Sequence, residues 1–205
     1  MNFEKLRQLE SEFLRRYPLG FDDPELMAVA KKHKVEEMKT YVHANFSKDH
    51  FNDPSAISRA FTKLIEKSSL VFTFEKVKYK NAVKLFNQDD IETLSNALWE
   101  ILHGDQRQGF NQLVLLLATL DLAKWPILTV LGLYYNGDYE VLVKPTTVKS
   151  VLSYLEVMDI KYTSKPNYDF YSQYRTLIND LKVRTGKSIA TDNGAYCGFL
   201  MITIE

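Results

Sequence analysis

The chain has 205 residues with 26 basic and 26 acidic side chains, so it carries no formal net charge and has no whole-molecule field to draw it onto nucleic acid or an anionic membrane. Apolar residues make up 45% and charged residues 25%, a balance that fills a core and excludes intrinsic disorder. The one cysteine, Cys197, excludes an intrachain disulfide and fits a reducing compartment.

At the N-terminus, Glu4 and Lys5 stand where a signal peptide would need its apolar stretch, so a cytoplasmic location is expected. Phe3, Leu6, Leu9, Phe13, Leu14 and Tyr17 recur at helical spacing, and Tyr17-Pro18-Leu19-Gly20 should stop that helix. Phe21-Asp22-Asp23-Pro24 and Phe51-Asn52-Asp53-Pro54 are two instances of one helix-start chemistry. In each, an Asp accepts from free N–H groups and Pro takes the first helical position. Ile57, Ala60, Phe61, Leu64 and Ile65 form an apolar stripe. Ile91, Leu94, Leu98, Trp99, Ile101 and Leu102 form a second, with Asn87 as cap and Gly104 as stop.

Apolar residues surround the helices expected over Phe110 to Leu122 and Ile127 to Tyr135. This region is broken by Asp121, Lys124 and Pro126, and its uncharged pieces fall short of the ~18 residues a membrane span requires. Two buried helices and no membrane contact are expected. Asn136-Gly137 is a turn signal, and Tyr139, Val141 and Val143 after it suggest a short extended segment closed by Pro145. Thr146 or Thr147 is expected to cap a helix carrying Val148, Val151, Leu152 and Leu155. Asn167 should cap a long helix ending at Gly186, and Asp192 favours helix over strand for residues 192–204. The expected fold is therefore all-α, one compact multi-helix domain over residues 1–205 with a short β-hairpin or extended segment near 136–144. A subdivision near 122, into helices of 1–121 and of 122–205, is the alternative.

Phe13-Leu14-Arg15-Arg16-Tyr17-Pro18-Leu19-Gly20-Phe21-Asp22-Asp23-Pro24, Lys124-Trp125-Pro126 and Leu142-Val143-Lys144-Pro145-Thr146-Thr147, followed by Tyr162 and Pro166-Asn167-Tyr168, stand in this order along nearly the whole chain. In this order and spacing the chain resembles a bacterial protein family of about this length whose function is unassigned. The family's Gln-Ser-Phe-type C-terminal segment is replaced here by Ala195-Tyr196-Cys197-Gly198-Phe199. The resemblance implies a bacterial, cytoplasmic protein and supplies no chemistry.

The first candidate site is Lys144, Thr146, Thr147 and Lys149, with Trp125, Tyr134, Tyr135 and Tyr139 just upstream. A helix start there would converge N–H groups, hydroxyls and ammonium groups on a phosphate or carboxylate; an ordinary helix start with solvated lysines is the competing reading. The second is Tyr162, Tyr168, Tyr171 and Tyr174 with Lys161, Lys165 and Arg175, a pattern that stacks bases or, at helical spacing, packs a core. The third is the basic run Arg59, Lys63, Lys67, Lys76, Lys78, Lys80 and Lys84, which Asp89, Asp90 and Glu92 follow closely.

No catalytic motif is complete. Gly186-Lys187-Ser188 ends like a phosphate-binding loop but follows a helix and lacks the first glycine. His33, His43, His50 and His103 lack metal-helix spacing, so no metal or other cofactor is expected. The sequence thus points to a helical binding module for an anionic small molecule, nucleic acid or partner protein, held by Lys144, Thr146, Thr147 and Lys149 with support from Trp125 and Tyr168. The alternative is an enzyme with a C-terminal site using Cys197 or a tyrosine with Asp192.

Overall fold

A computed structural model describes residues 1–204. It is all-α: eleven α-helices and two short 3-10 turns, with no strand among the described residues. The helices are α1 (Phe3–Arg16), α2 (Pro24–Lys32), α3 (Val35–Asn45), α4 (Pro54–Lys67), α5 (Thr73–Val83), α6 (Gln88–His103), α7 (Gln106–Ala118), α8 (Trp125–Tyr135), α9 (Pro145–Tyr154), α10 (Tyr168–Val183) and α11 (Asn193–Ile204).

Local chemistry sets most of the boundaries. Asp23 and Asp53 accept from backbone N–H groups at the starts of α2 and α4, each ahead of a first-position proline. Asn87 and Asp90 form a reciprocal capping box on α6, Asn167 caps α10, and Asp192 accepts from Ala195 N at 2.8 Å to start α11 as a helix. At α9 the expectation fails. Pro145 takes the first helical position, so Lys144 occupies the cap position and no side chain caps the helix. Thr146 and Thr147 lie inside the first turn, too late to cap.

α8 is the central helix: every residue from Trp125 to Tyr134 is buried, as its all-round apolarity requires. Residues expected to surround α7 do not all go inward, since Leu115 is 70% exposed and only one side faces the core. α6 and α7 form a tight antiparallel pair. A Cβ on Gly109 would lie 2.5 Å from the Ala97 carbonyl oxygen, so only glycine permits this backbone approach.

α1 crosses from the start of the chain to pack on α11, where Phe13 meets Phe199 edge-on at 5.1 Å. Asn2 N donates to Leu155 O, and Gly186 N to Glu10 Oε1. The expected strand after Asn136-Gly137 does not form: residues 137–139 turn, with Tyr139 N and Glu140 N donating to Asn136 O, and residues 140–144 take no regular structure. Glu140, Val141, Leu142 and Val143 are all buried, and side chains satisfy part of their backbone: Val143 N donates to Thr129 Oγ1 at 3.1 Å, and Asn193 Nδ2 to Glu140 O at 3.2 Å.

Candidate functional site

One face of α9 presents Lys149, Leu152 and Ser153, and Glu156 follows just past the helix end. The chain then turns back through Glu156, whose φ of 55° is left-handed, and Val157 N donates to Leu152 O at 2.9 Å. A non-glycine residue seldom takes this conformation; here it directs Met158, Ile160, Lys161 and Tyr162 alongside α9. The result is an open groove of about 420 Å³ with an apolar floor of Leu152, Val157 and Ile160. Met158, 91% exposed, stands at its edge.

The charge pattern of the groove is simple. Glu156 bonds to Lys5 Nζ at 2.8 Å and Asn2 Nδ2 at 3.1 Å, and these bonds hold its carboxyl below the ordinary range. Lys149 Nζ lies 5.1 Å from the centre of the Tyr162 ring, a cation–π distance. Neither Lys149 nor Lys161 forms an ion pair with a described residue. The groove therefore joins two uncompensated ammonium groups, one phenol and an apolar floor. Lys149 comes from the first sequence candidate; Lys161 and Tyr162 come from the second.

The other expected residues lie elsewhere. Lys144 reaches α11, its Nζ 3.2 Å from Met201 Sδ; Thr146 is exposed and Thr147 buried. Trp125 is inside, its indole N–H donating to Thr163 O at 3.0 Å. It supports the groove indirectly, through Phe170 at 5.2 Å, which meets Tyr162 edge-on at 5.6 Å. Tyr168 faces the other way: its ring packs on Phe110 under Arg107, and its hydroxyl donates to Gln106 Oε1 at 3.1 Å.

Behind Tyr168 lies a buried polar cluster in which Tyr171 and Arg175 of the second candidate join Gln106 and Glu140, two residues that sequence reading did not single out. Arg175 Nη1 donates to both Glu140 oxygens at 2.8 and 2.9 Å and to Gln106 Oε1 at 2.6 Å. Gln106 Nε2 and the Tyr171 hydroxyl also donate to that carboxylate. The guanidinium is flanked by Tyr139 at 4.4 Å and Tyr171 at 5.3 Å. The set acts as a clamp that ties the 136–144 segment to α7 and α10.

A second, polar groove of about 330 Å³ is lined by Lys48, Phe51, Asn52, Ser95, Asn96 and Trp99. Below it, His43 and His103 both pack on Tyr135, at 4.9 and 5.5 Å. The histidines are thus partly gathered, although among the described residues no three His, Cys, Asp or Glu side chains form a metal-binding group.

The basic run is largely paired within the fold, but by other acids than the neighbouring Asp89, Asp90 and Glu92. Lys80 meets Glu66 at 2.6 Å, Lys67 meets Glu37 at 3.8 Å, Arg59 meets Asp53 at 3.9 Å, and Lys78 meets Asp121. Gly186-Lys187-Ser188 follows helix α10, and a carboxylate, Glu10, occupies the Gly186 N–H, the reverse of an anion cradle. Cys197 is half-buried, and burial pushes its thiol up to about 12. Only the thiolate is nucleophilic, so we expect iodoacetamide at pH 7 to modify Cys197 at least ~100-fold more slowly in the native protein than in urea. Equal rates in the two states would show a thiol poised for chemistry.

No protein-family model, curated protein or solved structure matches the chain.

Proposed function

We propose that the chain is a non-catalytic binding module of a bacterial cytoplasm that takes an anionic ligand, phosphate- or carboxylate-bearing with an apolar portion, in the α9 groove. The observation that carries this reading is the convergence of Lys149 and Lys161 beside Tyr162 over an apolar floor. Two ammonium groups without acidic partners suit an anion. Leu152, Val157 and Ile160 suit the apolar portion, and the Tyr162 face suits a ring or a flat chain.

The test is thermal denaturation in the presence of nucleotides, sugar phosphates and short single-stranded DNA. A ligand at a hundred times its Kd stabilises by about 2.7 kcal/mol, which for a chain of this size raises Tm by about 5–10 °C. We expect at least one of these ligands to give such a rise. Exchanging Lys149 and Lys161 for glutamate should abolish it, whereas Lys144→Glu should leave it in place. No rise with any of these ligands, or a rise that survives the Lys149/Lys161 exchange, discards the groove.

A further inference from the structure

The polar groove beside α6 is built from two stretches of chain. Ser95, Asn96 and Trp99 line it from α6; the first two precede the tryptophan by four and three residues, so all three share one face. Lys48, Phe51 and Asn52 line it from the 3-10 turn Lys48–Asn52, where side chains three apart eclipse and Lys48 stands over Phe51. His103 joins the two walls. Its Nε2 lies 2.9 Å from Phe46 O, just ahead of the turn, and its ring meets Phe51 at 5.6 Å and Trp99 at 6.3 Å. The six-membered ring of Trp99 also lies against Gly104, where a Cβ would come within 2.6 Å of Cζ3. The indole is therefore held in one place, half-buried, at the groove.

The hydrogen-bonding groups of this groove are left open. Thr62, Thr129, Thr185 and Thr203 return their hydroxyls to the carbonyl four residues back, a common arrangement for a hydroxyl inside a helix. Ser95 does not: it is 2% exposed, lines the groove, and its Oγ bonds to no described residue. A buried hydroxyl in that state is unfavourable unless a group in the groove bonds it. The Asn96 amide, the Trp99 indole N–H and the Lys48 ammonium are likewise without partners among the described residues. Asn52 Nδ2 donates to Asp49 O at 3.2 Å, and its Oδ1 accepts from no described residue. No carboxylate lines the groove.

These groups specify a ligand. Two carboxamides and a hydroxyl both donate and accept, which matches the hydroxyls of a sugar, each of them a donor and an acceptor. An indole face suits the C–H face of a sugar ring. One ammonium with no acid beside it suits a single carboxylate. At about 330 Å³ the groove is at the small end of the ~300–1,000 Å³ range of small-molecule sites, room for one ring.

We propose that this groove is a binding site, separate from the α9 groove, for a single sugar ring bearing a carboxylate, a hexuronate. The ring packs on Trp99 and Phe51, its hydroxyls bond Ser95, Asn96 and Asn52, and its carboxylate pairs with Lys48. An open site for a ligand of about 13 heavy atoms gives a Kd of about 1 mM.

The two tryptophans of the chain serve as reporter and control. Trp125 is buried with its indole N–H bonded to Thr163 O, whereas Trp99 lines the groove. In a nitrogen–proton correlation spectrum of the full chain, sodium glucuronate added to roughly 20 mM at constant ionic strength should shift the Trp99 indole cross-peak in a saturable manner. The Trp125 cross-peak should stay in place. Glucose should bind at least ~5-fold more weakly, and Lys48→Gln should reduce glucuronate to the level of glucose. Ser95→Ala should weaken both sugars at least ~3-fold without lowering Tm, because its hydroxyl holds no other residue; a purely structural hydroxyl would lower Tm and leave binding alone. Lys149→Glu should change none of this, which keeps the test independent of the α9 groove. The proposal is overturned if glucuronate leaves the Trp99 cross-peak unmoved, or if adenosine monophosphate moves it at lower concentration. It is also overturned if Lys48→Gln and Ser95→Ala bind glucuronate as the parent does.

Discussion

Arg175→Ala is expected to lower the stability of the chain by about 3–5 kcal/mol, the cost of leaving one member of a buried ion pair alone. Both partners are inside: Arg175 is 5% and Glu140 7% exposed. The guanidinium supplies two of the hydrogen bonds to the carboxylate, at 2.8 and 2.9 Å, and its removal leaves an anion held only by Gln106 and Tyr171. Because unfolding transitions of chains this size move by about 2–4 °C per kcal/mol, Tm should fall by roughly 6–20 °C. Arg175→Lys should be nearly as damaging, since an ammonium cannot lie flat between Tyr139 and Tyr171 while bonding Glu140 and Gln106 together. Replacing both partners, Arg175→Met with Glu140→Leu, should recover most of the loss, because no charge is then left buried. Urea denaturation measures all three, and a cost below ~1 kcal/mol for Arg175→Ala would mean that the pair is solvated and the clamp is not what fixes residues 136–144.

The contrast between the clamp and the helix starts shows which parts of this fold a sequence displays. A cap is a contact over two or three residues, so Asp23, Asp53, Asn87, Asn167 and Asp192 could each be read in place. The all-round apolarity of α8 likewise announces a central helix. α5 could not be read because Phe74 and Val77, the residues that would mark an inward stripe, point outward. Residues 139–143 alternate like a strand, yet Glu140, Val141, Leu142 and Val143 are all buried, because the segment threads between helices and borrows partners from Thr129 and Asn193. The clamp joins Gln106, Glu140 and Arg175 across gaps of 34, 35 and 69 residues, and no local pattern connects them. The α9 groove lies between these cases. Its lysines and tyrosine were visible as two separate candidates, but what unites them is the left-handed turn at Glu156, a conformation that glutamate does not advertise.

Raising the pH above 10 should unfold the chain steeply. Tyr79, Tyr171, Tyr174 and Tyr196 are buried, and burial pushes all four phenols above their ordinary value, with the Glu140 charge adding to the effect at Tyr171. The sign follows from proton counting. Below the ordinary phenol value of about 10 these groups are neutral in both states and contribute no pH dependence. Above it the unfolded chain releases four protons that the folded chain keeps, so stability falls as pH rises. Each group contributes a slope of about 1.4 kcal/mol per pH unit, so the four together give roughly 5.5. Against a typical stability of 5–15 kcal/mol, about one to three pH units suffice to unfold the chain. Phenolate absorbance and far-ultraviolet circular dichroism, followed together, read this directly. Tyr79, Tyr171, Tyr174 and Tyr196 should ionise in a single cooperative step as helicity is lost. Smooth ionisation of these four near pH 10, with helicity retained, would mean that water reaches these phenols and that the core around α10 and α11 opens far below the global unfolding free energy.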